Sequence, residues 1–140
     1  MVSETIKYTN FNGDEVEERH LFNFSEVEIM DLEFDKKPSL TERIQRIAQT
    51  QDKSDLYRML KFFVLESYGE KSLDGTRFIK RDEAGNRLSD KFQETQAFSE
   101  FMFKLVTDAD LSSEFINRVI PKSILEKAAK ENARNNNTAG

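Results

Sequence analysis

The apolar residues of this chain change their spacing once, near Phe24, and that change constrains the fold more than any other feature. Before it they favour alternate positions: Ile6 and Tyr8, then Val16, His20, Phe22 and Phe24, the signature of strands with one covered face. After it they recur at three- and four-residue intervals, the repeat of an amphipathic helix. The pattern predicts an α+β fold, mostly α: an N-terminal β-hairpin followed by a compact bundle of five or six helices.

Parity decides how the hairpin is registered. Asn12-Gly13 invites a two-residue turn. Pairing Phe11 with Asp14 on that basis would set Ile6 opposite Arg19 and Tyr8 opposite Glu17, apolar against charged. A three-residue loop, Phe11-Asn12-Gly13 with Gly13 left-handed, sets Tyr8 opposite Val16 and keeps both apolar sets on one face.

Helix signals then follow in order. Ser25 with Glu28 spells a capping box, and the run after it carries Val27, Met30 and Phe34 on one side. Lys36-Lys37-Pro38 breaks this helix. Ser39 with Glu42 is a second capping box, opening residues 40–50 with Leu40, Ile44 and Ile47 in a stripe. Residues 52–54 restart the chain into a longer helix to Tyr68. It carries Leu56, Met59, Leu60, Phe63 and Val64 and is stopped by Gly69. Residues 70–88 read as an exposed polar connection, with turns at Asp74-Gly75 and Ala84-Gly85-Asn86 and an apolar touch-down at Phe78-Ile79. A connection of that length is unusual in a compact domain and tends to be functional or mobile. Ser89 caps a helix to about Val106 with Phe92, Phe98, Phe101, Met102 and Leu105. Thr107-Asp108 opens another with Leu111, Phe115, Ile116 and Val119, stopped by Pro121. A last pattern (Ile124, Leu125, Ala128) fades into NARNNNTAG, too polar to fold. The division is one globular domain over 1–131 (hairpin 1–24, helical part 25–131) and a disordered tail over 132–140.

A chain of 140 residues fits one domain of this kind and can bury a core without covalent staples. Twelve Phe supply that core. No window approaches the ~20 apolar residues a membrane span requires, so no membrane association is expected.

Chemistry fails on the residues available. The chain has no cysteine, which excludes disulfides, thiolate catalysis and Cys-based zinc sites. Its one histidine, His20, lies mid-strand between Arg19 and Leu21, where a half-buried hairpin residue is a better reading than a general base. The acidic residues Asp14, Glu15, Glu17, Glu18, Glu26, Glu28, Asp31, Glu33 and Asp35 offer carboxylate pairs. They fall on strand and helix positions expected to be solvated, and read first as an exposed face and second as a dock for a basic partner. The nearest approach to a calcium loop, residues 82–94, has Ala84 and Arg87 where an oxygen ligand and a glycine are needed. The five glycines, Gly13, Gly69, Gly75, Gly85 and Gly140, are isolated, so no phosphate-cradling loop exists. No cofactor is expected.

Charge narrows the partner. Of the net −5, the segment through Asp35 holds −8, with ten acidic residues against Lys7 and Arg19, and the rest holds +3. An acidic start repels phosphate backbones, so nucleic acid is not expected; an electrostatically asymmetric protein–protein surface is. The N-terminus has no basic start followed by an apolar run, so no secretory signal is read and the cytoplasm is the default compartment. For protein binding the first positions are Phe62 and Leu65, since one helix face does not easily bury both Phe62 and Phe63 along with Leu65. Phe78 and Ile79 in the long connection come next. Phe98 and Met102 read first as core and second as a partner groove.

Several strings resemble segments that recur in small proteins of tailed bacteriophages: SYGEKSLDGTRFIK (67–80), QETQAFSE (93–100), LVTDAD (105–110) and FINRVIPK (115–122). KYTNFNG (7–13) and FNF (22–24) before a Glu-rich helix fit as well. Together they cover most of the chain to about Lys122 and are similar to the tail assembly chaperones of long-tailed phages, mainly of Gram-positive hosts. The stretch RDEAGNRL (81–88) is longer than its family counterpart, and the Asn-rich end has none. The resemblance implies a non-enzymatic protein of the host cell cytoplasm that binds the tape-measure protein and helps recruit major tail (tube) subunits. It also implies absence from the finished virion. A frameshift-extended form of the chain and further copies of itself are additional partners under the same resemblance. The family has no catalytic residues to carry over. The alternatives are a virion structural protein of the tail or head–tail connector and, behind it, a carboxylate-only enzyme or a host-takeover inhibitor.

Overall fold

The structure is a computed structural model; it describes the backbone of residues 1–138 and the side-chain surroundings of residues 1–134. Strands β1 (Val2–Thr9) and β2 (Glu15–Phe22) form the expected hairpin with Tyr8 opposite Val16 and Val2 opposite Phe22. Gly13 sits at φ +84 and its N–H donates to the Asn10 carbonyl at 3.0 Å, while Asn10 and Asp14 close the loop at 2.9 Å. A side chain at that φ would clash with its own backbone, which is why glycine ends this three-residue loop.

The sheet does not stop there. Strands β3 (Tyr68–Lys71) and β4 (Phe78–Ile79) extend it to four antiparallel strands in the order β1-β2-β3-β4. The expectation of a simple exposed connection over 70–88 is therefore corrected. Two tight ribbons occupy it, each turning three residues after an acceptor carbonyl, Ser72 to Gly75 and Asp82 to Gly85, both at 3.0 Å. The second ribbon is closed by a bridge between Arg81 and Arg87. Gly69 is a strand residue and does not have the left-handed conformation of a helix stop. It is glycine because β4 comes too close: a Cβ there would lie 2.8 Å from the Ile79 carbonyl oxygen and 2.4 Å from the Phe78 ring.

The helical part runs α1 (Glu26–Met30), a π-helical turn (Asp31–Asp35), α2 (Leu40–Gln49), α3 (Lys53–Ser67), α4 (Leu88–Gln93), α5 (Gln96–Thr107), α6 (Ala109–Val119) and α7 (Lys122–Thr138). Among the described residues there are seven α-helices, one more than the upper end of the expected five or six, because the run read as 89–106 breaks. Thr95 caps a new start, its Oγ1 accepting from the Phe98 N–H at 3.2 Å and donating to the Phe92 carbonyl at 2.6 Å. The break lets Phe92 and Phe98 meet edge to face at 5.5 Å. Helix α4 starts at Leu88 with Arg87 at its N-cap position, two residues earlier than a Ser89 cap implies, and Ser89 is buried within it. Of the two capping boxes, the one at Ser25 and Glu28 is complete, whereas Ser39 makes only its own half, accepting from the Glu42 N–H at 3.2 Å. Helix α7 continues past the expected end at 131 through Thr138, with Gln45 and Gln49 of α2 donating to Glu131 (2.8 Å) and Asn132 (2.9 Å). Residues 139–140 of the expected tail lie outside the described residues.

Phe22 is the hinge between sheet and helices. It is fully buried and meets Tyr68, Phe92, Phe101 and Phe115 at 5.4–6.1 Å between ring centres. The core continues through Leu60, Phe63 and Val64 of α3, Leu40 and Ile44 of α2, and Ala97, Phe101 and Leu105 of α5. Each fully buried large apolar side chain here contributes about 1.5–3 kcal/mol.

Candidate protein-binding surface

His20 is half-buried, with Phe92 at 5.0 Å and Tyr68 at 6.1 Å between ring centres. Burial lowers its pKa, outweighing the opposite pull of Glu18 and Glu70. Burial thus favours the neutral imidazole, and Glu18 at 4.0 Å pairs with it only when it is protonated. The same surroundings push the Tyr68 hydroxyl up to about 12, burial first and the nearby Glu70 and Glu18 after it. Among the described residues no hydrogen bond joins His20 Nε2 to a hydroxyl or to a second base, the contact that activating a nucleophile would need. Among the described residues no three His, Cys, Asp or Glu side chains cluster as metal ligands, and no helix is long and apolar enough to cross a membrane.

The sequence-predicted binding positions separate into three groups. Phe98 and Met102 are 7% and 4% exposed and belong to the core, so they offer no surface. Phe62 is half-buried, edge to face with Phe63 at 5.4 Å and covered by the Arg43 guanidinium at 4.1 Å from its ring centre. Leu65, Phe78 and Ile79 are half-buried as well. Leu65 lines a small polar cavity of about 190 Å³ with Glu28, Glu66, Tyr68, Lys80 and Arg87.

That cavity is a structural lock. Lys80 donates to Glu28 Oε2 at 2.6 Å and to the Glu66 carbonyl at 2.7 Å, and its ammonium lies 5.0 Å from the Phe24 ring centre and 5.9 Å from that of Phe78. Arg87 pairs with Glu66 at 3.1 Å and donates to the Leu65 carbonyl at 3.3 Å. Burial lowers the Lys80 pKa against the pull of Glu28 and Glu66. With Lys80 paired to Glu28 and Arg87 to Glu66, the cluster ties the end of β4 to α1 and α3.

The surface that sequence reasoning missed is on the first helix. The stripe Val27, Met30 and Phe34 was expected as an ordinary amphipathic face, but it points outward, 61%, 48% and 76% exposed. The buried side is instead Ile29, Leu32 and Glu33. Glu33 explains the choice. Its carboxylate accepts from the Thr41 N–H at 2.9 Å, from the Thr41 hydroxyl and from Lys127 at 3.2 Å, joining the π turn to α2 and α7. Burial pushes its pKa up, but these donors outweigh it and hold the carboxyl below its ordinary range. The signal available in the sequence was the presence of two apolar stripes, 27/30/34 and 29/32, on a segment with room to bury one. Phe11, Leu73 and Phe103 are also strongly exposed, but singly, at two turn tips and on α5, as scattered surface hydrophobes usually are.

The fold is α+β, with an exposed apolar stripe on its first helical segment. The family model of phage tail assembly chaperones matches residues 1–139, and the chain belongs to that family. A chaperone family implies a non-enzymatic role. Comparison with curated proteins and with solved structures found no match.

Proposed function

We propose that this protein binds the tape-measure protein of its phage during tail morphogenesis, keeps that long apolar helix soluble, and helps recruit tail-tube subunits around it. It acts in the host cytoplasm, performs no catalysis and leaves before the virion is complete. The observation that carries the reading is an apolar helix stripe left exposed on a member of a chaperone family. Exposed apolar stripes are what a holdase offers an amphipathic client. Co-expression with the tape-measure protein of the same phage is the test. Solubility of that protein should rise, and the two should co-purify; no change in a matched pair contradicts the reading.

A structural protein retained in the virion is the second reading. It is favoured by β1, an edge strand whose sole strand neighbour among the described residues is β2, since such an edge pairs readily with another chain. Mass spectrometry of purified particles separates the two readings. Stoichiometric presence supports the structural protein, and absence supports the chaperone.

A further inference from the structure

We propose that Val27, Met30 and Phe34, together with Glu26, Asp31 and Asp35, form a docking site for a basic amphipathic helix, and that this is where the client enters. The inference rests on the chaperone reading and adds the place and chemistry of contact.

Residues 26–35 contain five carboxylates and no basic side chain. The structure sorts them into two sets. Glu28 is held by Lys80, and Glu33 by Thr41 and Lys127, both on the side facing the protein. Glu26, Asp31 and Asp35 are exposed, and none has an ion-pair partner among the described residues. They lie on the same short segment as the three exposed apolar residues. The inner carboxylates are anchors that fix the helix, while the outer ones are charges without counterparts.

The apolar residues are spaced 27, 30 and 34, the i, i+3, i+7 ridge that one helix offers another. The wider π turn, with i→i+5 bonding, keeps Phe34 exposed alongside Met30 while Leu32 and Glu33 turn inward. Because Glu28, Ile29, Leu32 and Glu33 already hold the segment, a client would meet a preformed ridge and little ordering would be needed on this side.

Charge selects the occupant. Around the ridge the unpaired carboxylates Glu26, Asp31 and Asp35 outnumber the adjoining exposed Lys36 and Lys37, which disfavours a nucleic acid or an anionic lipid surface. A second copy docked through the same ridge would set Glu26, Asp31 and Asp35 against their own equivalents, and like charges in apposition oppose association. A helix with its own apolar ridge flanked by Lys or Arg satisfies both the ridge and the charges.

The test uses the full chain and two synthetic helical peptides with an identical apolar ridge, one flanked by Lys and one by Glu. Binding is read by fluorescence anisotropy at low and high salt. The Lys-flanked peptide should bind at least about tenfold more tightly than the Glu-flanked one, and the advantage should shrink with salt. Val27→Ser/Met30→Ser/Phe34→Ser should abolish binding of both, and Glu26→Gln/Asp31→Asn/Asp35→Asn should remove only the preference. Unchanged circular dichroism shows that each variant is folded; should the triple variant unfold, Phe34→Ser alone is read in its place. Equal binding of both peptides, or binding that survives the serine variants, overturns the proposal. So does self-association lost in the serine variants, which would make a second copy the occupant. Retention of the tape-measure protein by wild-type and serine variants alike sinks this site but leaves the chaperone reading intact. Failure of the wild type to retain it sinks that reading, while the peptides still decide the site.

Discussion

Helix α5 and the segment 26–35 carry apolar residues at the same helical spacing and dispose of them in opposite directions. In α5 the stripe Ala97, Phe98, Phe101, Met102 and Leu105 lies between 1% and 7% exposed, and only Phe103 among its large apolar residues is strongly exposed. In 26–35 the stripe Val27, Met30 and Phe34 faces out and a second set, Ile29 and Leu32, goes in. Period alone does not separate the two cases. Helix α5 has one apolar stripe, and the sheet and α3 cover it; the first helix has two, and the polar anchors Glu28 and Glu33 select the one that is buried. Spacing reports that a helix has a face, and satisfied polar contacts report which way it turns.

The sharpest way to break this comparison is to truncate inside α5. Phe101→Ala should cost about 3–5 kcal/mol in chemical denaturation, because the side chain is 3% exposed and stacks on Phe22 at 5.4 Å. A loss under about 1 kcal/mol would place it outside the core. Gly69→Ala comes next. Its methyl group has no room against the Ile79 carbonyl, so a loss of about 1–3 kcal/mol is expected, with faster amide exchange in β4 as the local sign.

Glu33→Gln tests the anchor itself. It removes the charge that Lys127 and Thr41 contact and should cost about 1–3 kcal/mol at pH 7. The sign with pH follows from the lowered pKa. The carboxylate's contribution is complete above its ordinary value of 4.5 and is lost as pH falls through the depressed native value. Wild type and variant should therefore converge in acid, and a gap that persists at low pH would contradict the anchor. His20 gives a smaller effect at higher pH. Its native pKa is lowered from 6.5, so the stability it carries is present above 6.5 and falls as pH drops through the native value. His20→Gln should flatten the melting temperature between pH 7.5 and 5 relative to wild type (a window set about 6.5). Smallest of all, Phe34→Ser should change stability by no more than about 0.5 kcal/mol despite replacing a phenylalanine, because that ring is 76% exposed.

The hairpin was legible because two independent constraints agree there: the parity of Tyr8 and Val16 and the left-handed glycine at 13 admit one register. The core stripe of α3 was legible for a similar reason, since Leu60, Phe63 and Val64 fit one face. What escaped was decided by contacts distant in sequence. Tyr68-Gly69-Glu70-Lys71 has no strand alternation, and Gly69 is required by the approach of Phe78 and Ile79, which no local pattern displays. The stripe from Phe92 to Leu105 passes through the break at Thr95, because a capping threonine leaves hydrophobic spacing intact. The polar end of α7 is supported by Gln45 and Gln49, outside its own sequence. Of the binding positions, Phe62, Leu65, Phe78 and Ile79 keep partial exposure, and Phe98 and Met102 do not. The Val27 stripe was visible in the pattern, but the side it faces depends on Glu33 finding Thr41 and Lys127.

The central claim, that this protein holds an apolar helical client, is tested most directly by co-expressing the full chain with the tape-measure protein of the same phage and measuring how much of that protein stays soluble. The account predicts a clear rise in soluble tape-measure protein that co-purifies with this chain. An unchanged soluble fraction, with this chain itself soluble and folded, would contradict it.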